Sequence, residues 1–203
     1  GYGLTETAAP SHQNPPDAPK QQCLGIPFMS TDARVVDPET LQEVPQGEQG
    51  EISIRGPQVM SGYWSRPDET AKFMTPDGYF KSGDVGIMDE RGYVKIVDRK
   101  KDMIIVSGFN VYPNEVEAVI AAHPGVLECA CVGVPDEHSG EAVKVFVVRK
   151  DPTLTVDVLA AYCKEQFTGY KRPKYIEFRD ELPKTNVGKI LRRALRDETK
   201  IAA

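Results

Sequence analysis

The alternation of apolar and polar positions changes its rhythm near residue 100. Before that point, short alternating runs are broken by Gly and Pro: 33–37 (ARVVD), 50–56 (GEISIRG), 78–89 (GYFKSGDVGIMD) and 92–100 (GYVKIVDRK). A period of two marks half-buried strands, so this half is mostly β. The stretch 89–92 (DERG) between two such runs predicts a hairpin turn. Pro10 to Lys20 is polar and Pro-rich and reads as a loop. Beyond residue 102, helical and strand-like periods intermix. Residues 113–123 open with Pro113 and place Val116, Val119 and Ile120 at helical spacing. The runs 125–134 and 141–150 read as strands, and Thr155 can cap an amphipathic helix through Phe167. A third strand follows at 174–180, and Lys189 opens a last helix. No internal repeat interrupts the order. It describes an α+β protein whose second half is a short sheet backed by helices.

Composition narrows the function classes. A chain of 203 residues with 40% hydrophobic content can form one or two domains with a sizeable core. A net charge of −5 and a pI near 5.3 argue against a general nucleic-acid binder. No apolar run approaches the roughly 20 residues of a membrane-spanning helix, and no signal peptide is visible. Cys23, Cys129, Cys131 and Cys163 have neither Cys-x-x-Cys spacing nor histidine partners, which favours reduced core thiols in a cytoplasmic protein. Charge is unevenly spread. Residues 163–196 hold ten Lys and Arg against four Asp and Glu, a local +6 that leaves −11 for the remainder. Such a run is either a solvated face or a landing surface for a polyanion. The chain opens on GYGLTETA, without Met and inside a motif, and so reads as a piece of a longer protein.

Four polar clusters can carry chemistry. In 1–7 (GYGLTET), Tyr2 can stack on a flat base, Thr5 can donate to a phosphate oxygen and Glu6 can hold Mg²⁺; a turn with a capped helix start explains the same residues. In 79–86 (YFKSGDVG), a strand-end Asp84 presented by Gly83 suits acceptance from two ribose hydroxyls, with a plain turn as the alternative. In 98–115 (DRKKDMIIVSGFNVYPNE), five charges precede an apolar run and a Ser-Gly turn, a natural hinge between the two halves. In 183–193 (PKTNVGKILRR), Lys189 follows a glycine and is either an exposed surface charge or a cation delivered to an anionic reaction centre.

In order and wording these clusters resemble one family, the adenylate-forming acyl-CoA synthetases, across essentially all 203 residues. GYGLTETA, YFKSGD, IVDRKKDMIIVSGFNVYPNEVE and LPKTNVGKILRR look like its successive signatures. The wording is most similar to that of bacterial long-chain fatty-acid–CoA ligases. The resemblance implies the β-rich end of a large AMP-binding domain at 1–98, a hinge at 99–102 and a small mobile α+β domain at 103–203. It implies ATP, Mg²⁺ and coenzyme A as cofactors and cosubstrates, with a fatty acid as the activated substrate. Tyr2 would flank adenine, Gly3 would belong to the ATP/AMP site, Thr5 would touch phosphate and Glu6 would hold Mg²⁺. Asp84 and Arg99 would grip the ribose, and Asn110 would face the nucleotide. Ser107, Gly108 and Phe109 would line the pantetheine path, and Lys164, Arg172 and Lys174 would meet coenzyme A. Lys101 would be the hinge residue, and Lys189 would reach the carboxylate and α-phosphate oxygens during adenylation.

That assignment agrees with the chemistry, because joining a carboxylate to a phosphate brings two anions together and calls for a mobile point charge. The resemblance also places a phosphate loop and an acyl tunnel upstream of GYGLTETA, so this piece alone is expected to be inactive. A cytoplasmic site, with peripheral contact to the inner membrane face and homodimer formation, fits the same family. Two rivals remain at this level: another adenylate former that passes its acyl group elsewhere, and a non-catalytic module whose basic last helix binds membrane or nucleic acid.

Overall fold

The computed structural model describes residues 1–8, 10–186 and 188–201. The chain divides into two units, Gly1–Lys101 and Asp102–Ala203, with the division inside segment 99–102. The architecture is α+β.

In the first unit, β1 (Tyr2–Gly3), β2 (Pro10–Gln13) and β3 (Ile26–Pro27) form a small antiparallel sheet. The expected loop at 10–20 therefore begins as a strand. Its polar side chains hid it, because Ser11 and His12 are wholly buried where an apolar alternation would normally show. A second sheet is an antiparallel meander of β4 (Asp32–Val36), β5 (Gly50–Arg55), β6 (Phe80–Met88) and β7 (Val94–Arg99). Ile52, Ile54, Val94 and Tyr2 make its core, with Leu24, Val59 and Ile96 packed against them. Between β5 and β6 lies α1 (Pro67–Phe73), which the hydrophobic pattern does not reveal. It buries no side chain, so no apolar stripe marks it. Pro67 at its first turn, Asp68 and Glu69 beside it and Lys72 at the end suit the helix dipole instead.

The second unit begins with the hairpin β8 (Ile104–Val106) and β9 (Phe109–Val111), closed by Ser107 and Gly108. Then come α2 (Pro113–Ala121), β10 (Val126–Asp136), β11 (Gly140–Arg149), α3 (Val156–Gln166), β12 (Tyr175–Arg179) and α4 (Arg192–Ile201). The strands form one sheet in the order β10-β11-β8-β9, and β12 runs parallel to β11. Both faces are covered. Val116 and Ile120 of α2 and Leu159 and Cys163 of α3 pack with Cys129, Cys131, Val143, Val145 and Val147 on one side. Leu195 of α4 and Leu182 pack with Ala130, Val132 and Phe146 on the other. A sheet covered on both faces needs continuous apolar strands, which is how 125–134 and 141–150 read. Thr155 caps α3, its hydroxyl accepting from the Val158 amide at 3.3 Å. The last helix starts at Arg192 rather than at Lys189, because Lys184 and Ile190 pair in an isolated antiparallel bridge ahead of it.

None of the four cysteines forms a disulfide. Cys129, Cys131 and Cys163 lie in the core and Cys23 is half-buried. Burial pushes the Cys129 thiol up to about 12 and the Cys163 thiol up to about 11, which leaves them inert as nucleophiles. Among the described residues no helix is long and apolar enough to cross a membrane.

His12 makes unit 1 sensitive to acid. Its Nδ1 lies 2.9 Å from the Ser11 hydroxyl, and its Nε2 has no partner among the described residues. Burial lowers its pKa to about 4. The unfolded chain takes up this proton near pH 6.5 and the folded chain only near 4, so this stability is present above about pH 6.5 and lost as pH falls. Between pH 7 and 4.5 the chain is expected to lose about 2 kcal/mol more than a His12→Phe variant, read from urea midpoints. Parallel losses in the two would show that His12 does not carry the effect.

Candidate active site

β5 and β6 pair Glu51 with Val85 and Ser53 with Lys81, so Ser82, Gly83 and Asp84 together stand opposite Ile52. A bulge of this kind bends its strand and re-aims its side chains. Gly83 takes a φ of +73°, which a β-carbon would strain. The Ser82 hydroxyl donates to the Ile52 carbonyl at 2.7 Å and accepts from the Asp84 amide at 3.1 Å. Asp84 is thus inside β6, not at a strand end as its Gly-Asp context suggested. Only 6% exposed, it accepts from the Tyr2 phenol at 2.6 Å and lies 3.5 Å from Arg99 Nε across β7. Burial and the Asp84 carboxylate drive the Tyr2 phenol far above its ordinary pKa, so it remains a donor.

A cleft of about 620 Å³ opens beside this carboxylate. Of the sequence-predicted residues, Glu6, Asp84, Arg99 and Lys101 line it. Tyr2 stands behind Asp84 with its ring 5.8 Å from that of His12. Gly3 and Thr5 are exposed beside Tyr2 and Glu6. Glu6 is placed by a segment that sequence reasoning passed over: its carbonyl accepts from the Met60 amide at 2.8 Å, and its carboxylate from the Tyr63 phenol at 2.8 Å. Burial and Glu6 push the Tyr63 phenol up to about 12. Thr70 and Phe73 of α1 hold Tyr63, through a 2.9 Å bond to its amide and an edge-on ring contact. The exposed helix therefore has a positioning role.

Lys72, Lys81, Arg99, Lys100 and Lys101 also face the cleft, against Glu6, Glu51 and Asp84. This balance suits a polyanion. No cluster of three metal-ligating side chains exists among the described residues. One carboxylate, Glu6, fits Mg²⁺ held mainly by phosphates and water, the usual coordination of that ion at phosphate sites.

In the second unit, the β8–β9 hairpin exposes Ser107, Gly108, Phe109 and Asn110. The Phe109 ring stacks on Tyr170 at 4.7 Å. Most of the basic segment is matched by acids elsewhere: Lys171 pairs with Glu115 and Lys184 with Glu128, each at 2.8 Å. Lys174 pairs with Asp136 and, with Ser139, holds that carboxyl well below the usual range. Lys164, Arg172 and Lys189 are exposed and carry no salt bridge among the described residues. Lys189 sits in a closed loop, its carbonyl accepting from the Thr185 amide at 2.7 Å while the Leu191 amide donates to Pro183 at 2.8 Å. At the loop's root, Arg192 grips Glu117 with two bonds of 2.9 and 2.5 Å and also bonds Asn114. Arg196 reaches Asp102 at 2.7 Å, and Glu117 also accepts from the Cys131 amide at 2.7 Å. Charge counting by segment could not find this network, because its partners are up to 94 residues apart.

Residues 1–64 match the AMP-binding enzyme family, and residues 115–189 match the AMP-binding enzyme C-terminal domain. The chain belongs to the AMP-binding enzymes. It is 58% identical over 201 residues to a long-chain-fatty-acid–CoA ligase of Escherichia coli O6:H1, an alignment covering 98% of this chain and 36% of that ligase. ATP-bound MatB from Rhodopseudomonas palustris superposes with a TM-score of 0.90 at 42% identity, over 98% of this chain and 40% of its own. The o-succinylbenzoate CoA synthetase (MenE) of Bacillus subtilis, in complex with the acyl-adenylate OSB-AMP, gives 0.83 at 33% identity, over 97% and 40%. The chain thus spans just over a third of the length of the curated ligase.

The root of the Lys189 loop should be a stability determinant. Arg192 and Glu117 are each under 20% exposed, and removing one partner strands the other's charge along with the Cys131 amide's acceptor geometry. Arg192→Met is expected to cost about 2 kcal/mol or more in denaturant unfolding. Arg193→Met, which breaks only an 86%-exposed pair with Asp197, should cost less than about 0.5 kcal/mol. Equal effects would remove the special status of Arg192.

Proposed function

We propose that this chain works within a long-chain fatty-acid–CoA ligase, forming an acyl-adenylate from a fatty acid and ATP with release of pyrophosphate, then passing the acyl group to the thiol of coenzyme A. The observation that carries the reading is the cleft of unit 1, where a buried, pre-oriented carboxylate faces a lining of five cations. Asp84 accepts from the two ribose hydroxyls, its outward geometry held by the Tyr2 phenol and Arg99. Cationic side chains from β6 and the 99–101 segment screen the phosphate charge. Glu6, steadied by Tyr63, would hold Mg²⁺, which supplies further charge neutralisation on the phosphates. The identity to long-chain ligases supports a fatty acid as the carboxylate.

Lys189 supplies the cation where carboxylate meets α-phosphate. Its ammonium carries no salt bridge among the described residues, and its loop is tied down at the root by Arg192. Lys101, at the division between the units, serves as the pivot between half-reactions. Lys164 and Arg172 offer exposed charge for the phosphates of coenzyme A, with Ser107, Gly108 and Phe109 along the pantetheine and Asn110 toward the nucleotide. The setting is the cytoplasm.

Two variants in the whole protein that carries these residues separate the roles. Lys189→Ala is expected to slow acyl-adenylate formation on the order of 10²- to 10³-fold while thioester formation from supplied acyl-adenylate stays largely intact. Lys101→Pro fixes φ at the pivot and should do the reverse. The measurement is both half-reactions for both variants, with palmitate as substrate. If each variant loses both halves equally, neither role stands.

A further inference from the structure

The bulge in β6 frees a backbone donor from the strand ladder, and a buried acid takes it. Glu51 is 3% exposed, on a strand whose neighbours Ile52 and Ile54 are core. One carboxylate oxygen accepts from the Gly83 amide at 3.1 Å, and the other lies 3.0 Å from Lys100 Nζ. Lys100 also reaches the Pro38 carbonyl at 3.4 Å. Gly83 immediately precedes Asp84, and Lys100 sits between Arg99 and Lys101. A buried carboxylate is costly unless its oxygens are matched, and here each meets a donor adjoining a cleft residue.

We propose that Glu51 is the positioning residue of the nucleotide cleft, holding the Gly83–Asp84 bulge with one oxygen and the Lys100 end of the linker with the other. Ser82 and Tyr2 fix Asp84 from its own strand and from β1. Glu51 adds the tether that joins the bulge to the segment entering Lys101. The register of the ribose-binding carboxylate and the starting point of the linker then share one anchor. Loss of Glu51 lets the Gly83 amide turn away, and Asp84 loses its aim at the paired hydroxyls without losing its charge.

The inference rests on Asp84 reading the ribose, and the test keeps the two apart. Acyl-adenylate formation by the whole protein is measured with ATP and with 2′-deoxy-ATP, and the ratio of kcat/KM values is compared among wild type, Asp84→Asn, Glu51→Ala and Glu51→Gln. Wild type should prefer ATP, and Asp84→Asn should lose that preference. Both Glu51 variants should narrow it by roughly tenfold, the weight of one charge-assisted hydrogen bond. Glutamine keeps the shape but offers one acceptor where two donors stand. The Lys100 ammonium, the stronger donor, takes that oxygen, and the Gly83 amide is left facing an NH₂ group. If the alanine variant does not fold, the glutamine variant therefore carries the test. A folded Glu51 variant that loses rate equally with both nucleotides has only a structural defect, which overturns the inference and leaves Asp84 intact. A wild type without preference, or a preference that survives Asp84→Asn, overturns the ribose reading and this inference with it.

Discussion

A carboxylate buried to 6% exposure inside a sheet must have its lone pairs met by donors that cannot leave, and Asp84 imposes that condition on the whole first unit. Tyr2 has to come from a different sheet to reach it, which ties β1 to the meander. Arg99 has to stand opposite it on β7. The bulge that aims the side chain releases the Gly83 amide, and that demands an acid at Glu51; the acid in turn demands Lys100. One buried charge thus propagates into a chain of obligatory partners, each within a bond's length of the next. Low local dielectric makes such a network stiff when complete and costly when broken.

The second unit solves a different problem. Most cations of its basic segment are matched by acids among the described residues. Arg192 and Arg196 are consumed by Glu117 and Asp102, and Lys171, Lys174 and Lys184 by acids of α2 and β10. The local excess of +6 is therefore mostly structural glue, and within 163–196 the cations that carry no salt bridge among the described residues are Lys164, Arg172 and Lys189. A uniform basic face would bind any polyanion; a few unpaired cations on a neutralised scaffold can be selective.

Much of this was legible from residue order alone. The strands at β4 to β7 and β10 to β12 follow from alternation or from unbroken apolar runs. The helices α2 and α3 follow from Pro113, Thr155 and helical spacing. Glu6, Asp84 and Lys189 stood out because they sit in motifs that resemble a known family. Three features that escaped share one cause. β2 buries Ser11 and His12, α1 buries nothing, and Glu51 is a charge in the inner layer of a strand. In each case the pattern of hydrophobicity no longer reports burial.

Sequence by itself determined most of the element types and the family, because these depend on local periodicity and on short motifs. Tertiary structure decided that Asp84 sits in a bulge rather than at a strand end, and that Tyr63 steadies Glu6 across 57 residues. It also decided that most of the basic segment is already paired and that Lys189 precedes the last helix instead of starting it. The physical reason is that a charged side chain's role is set by its distance to other charges and by how much water it keeps. Both quantities come into being only when remote segments meet.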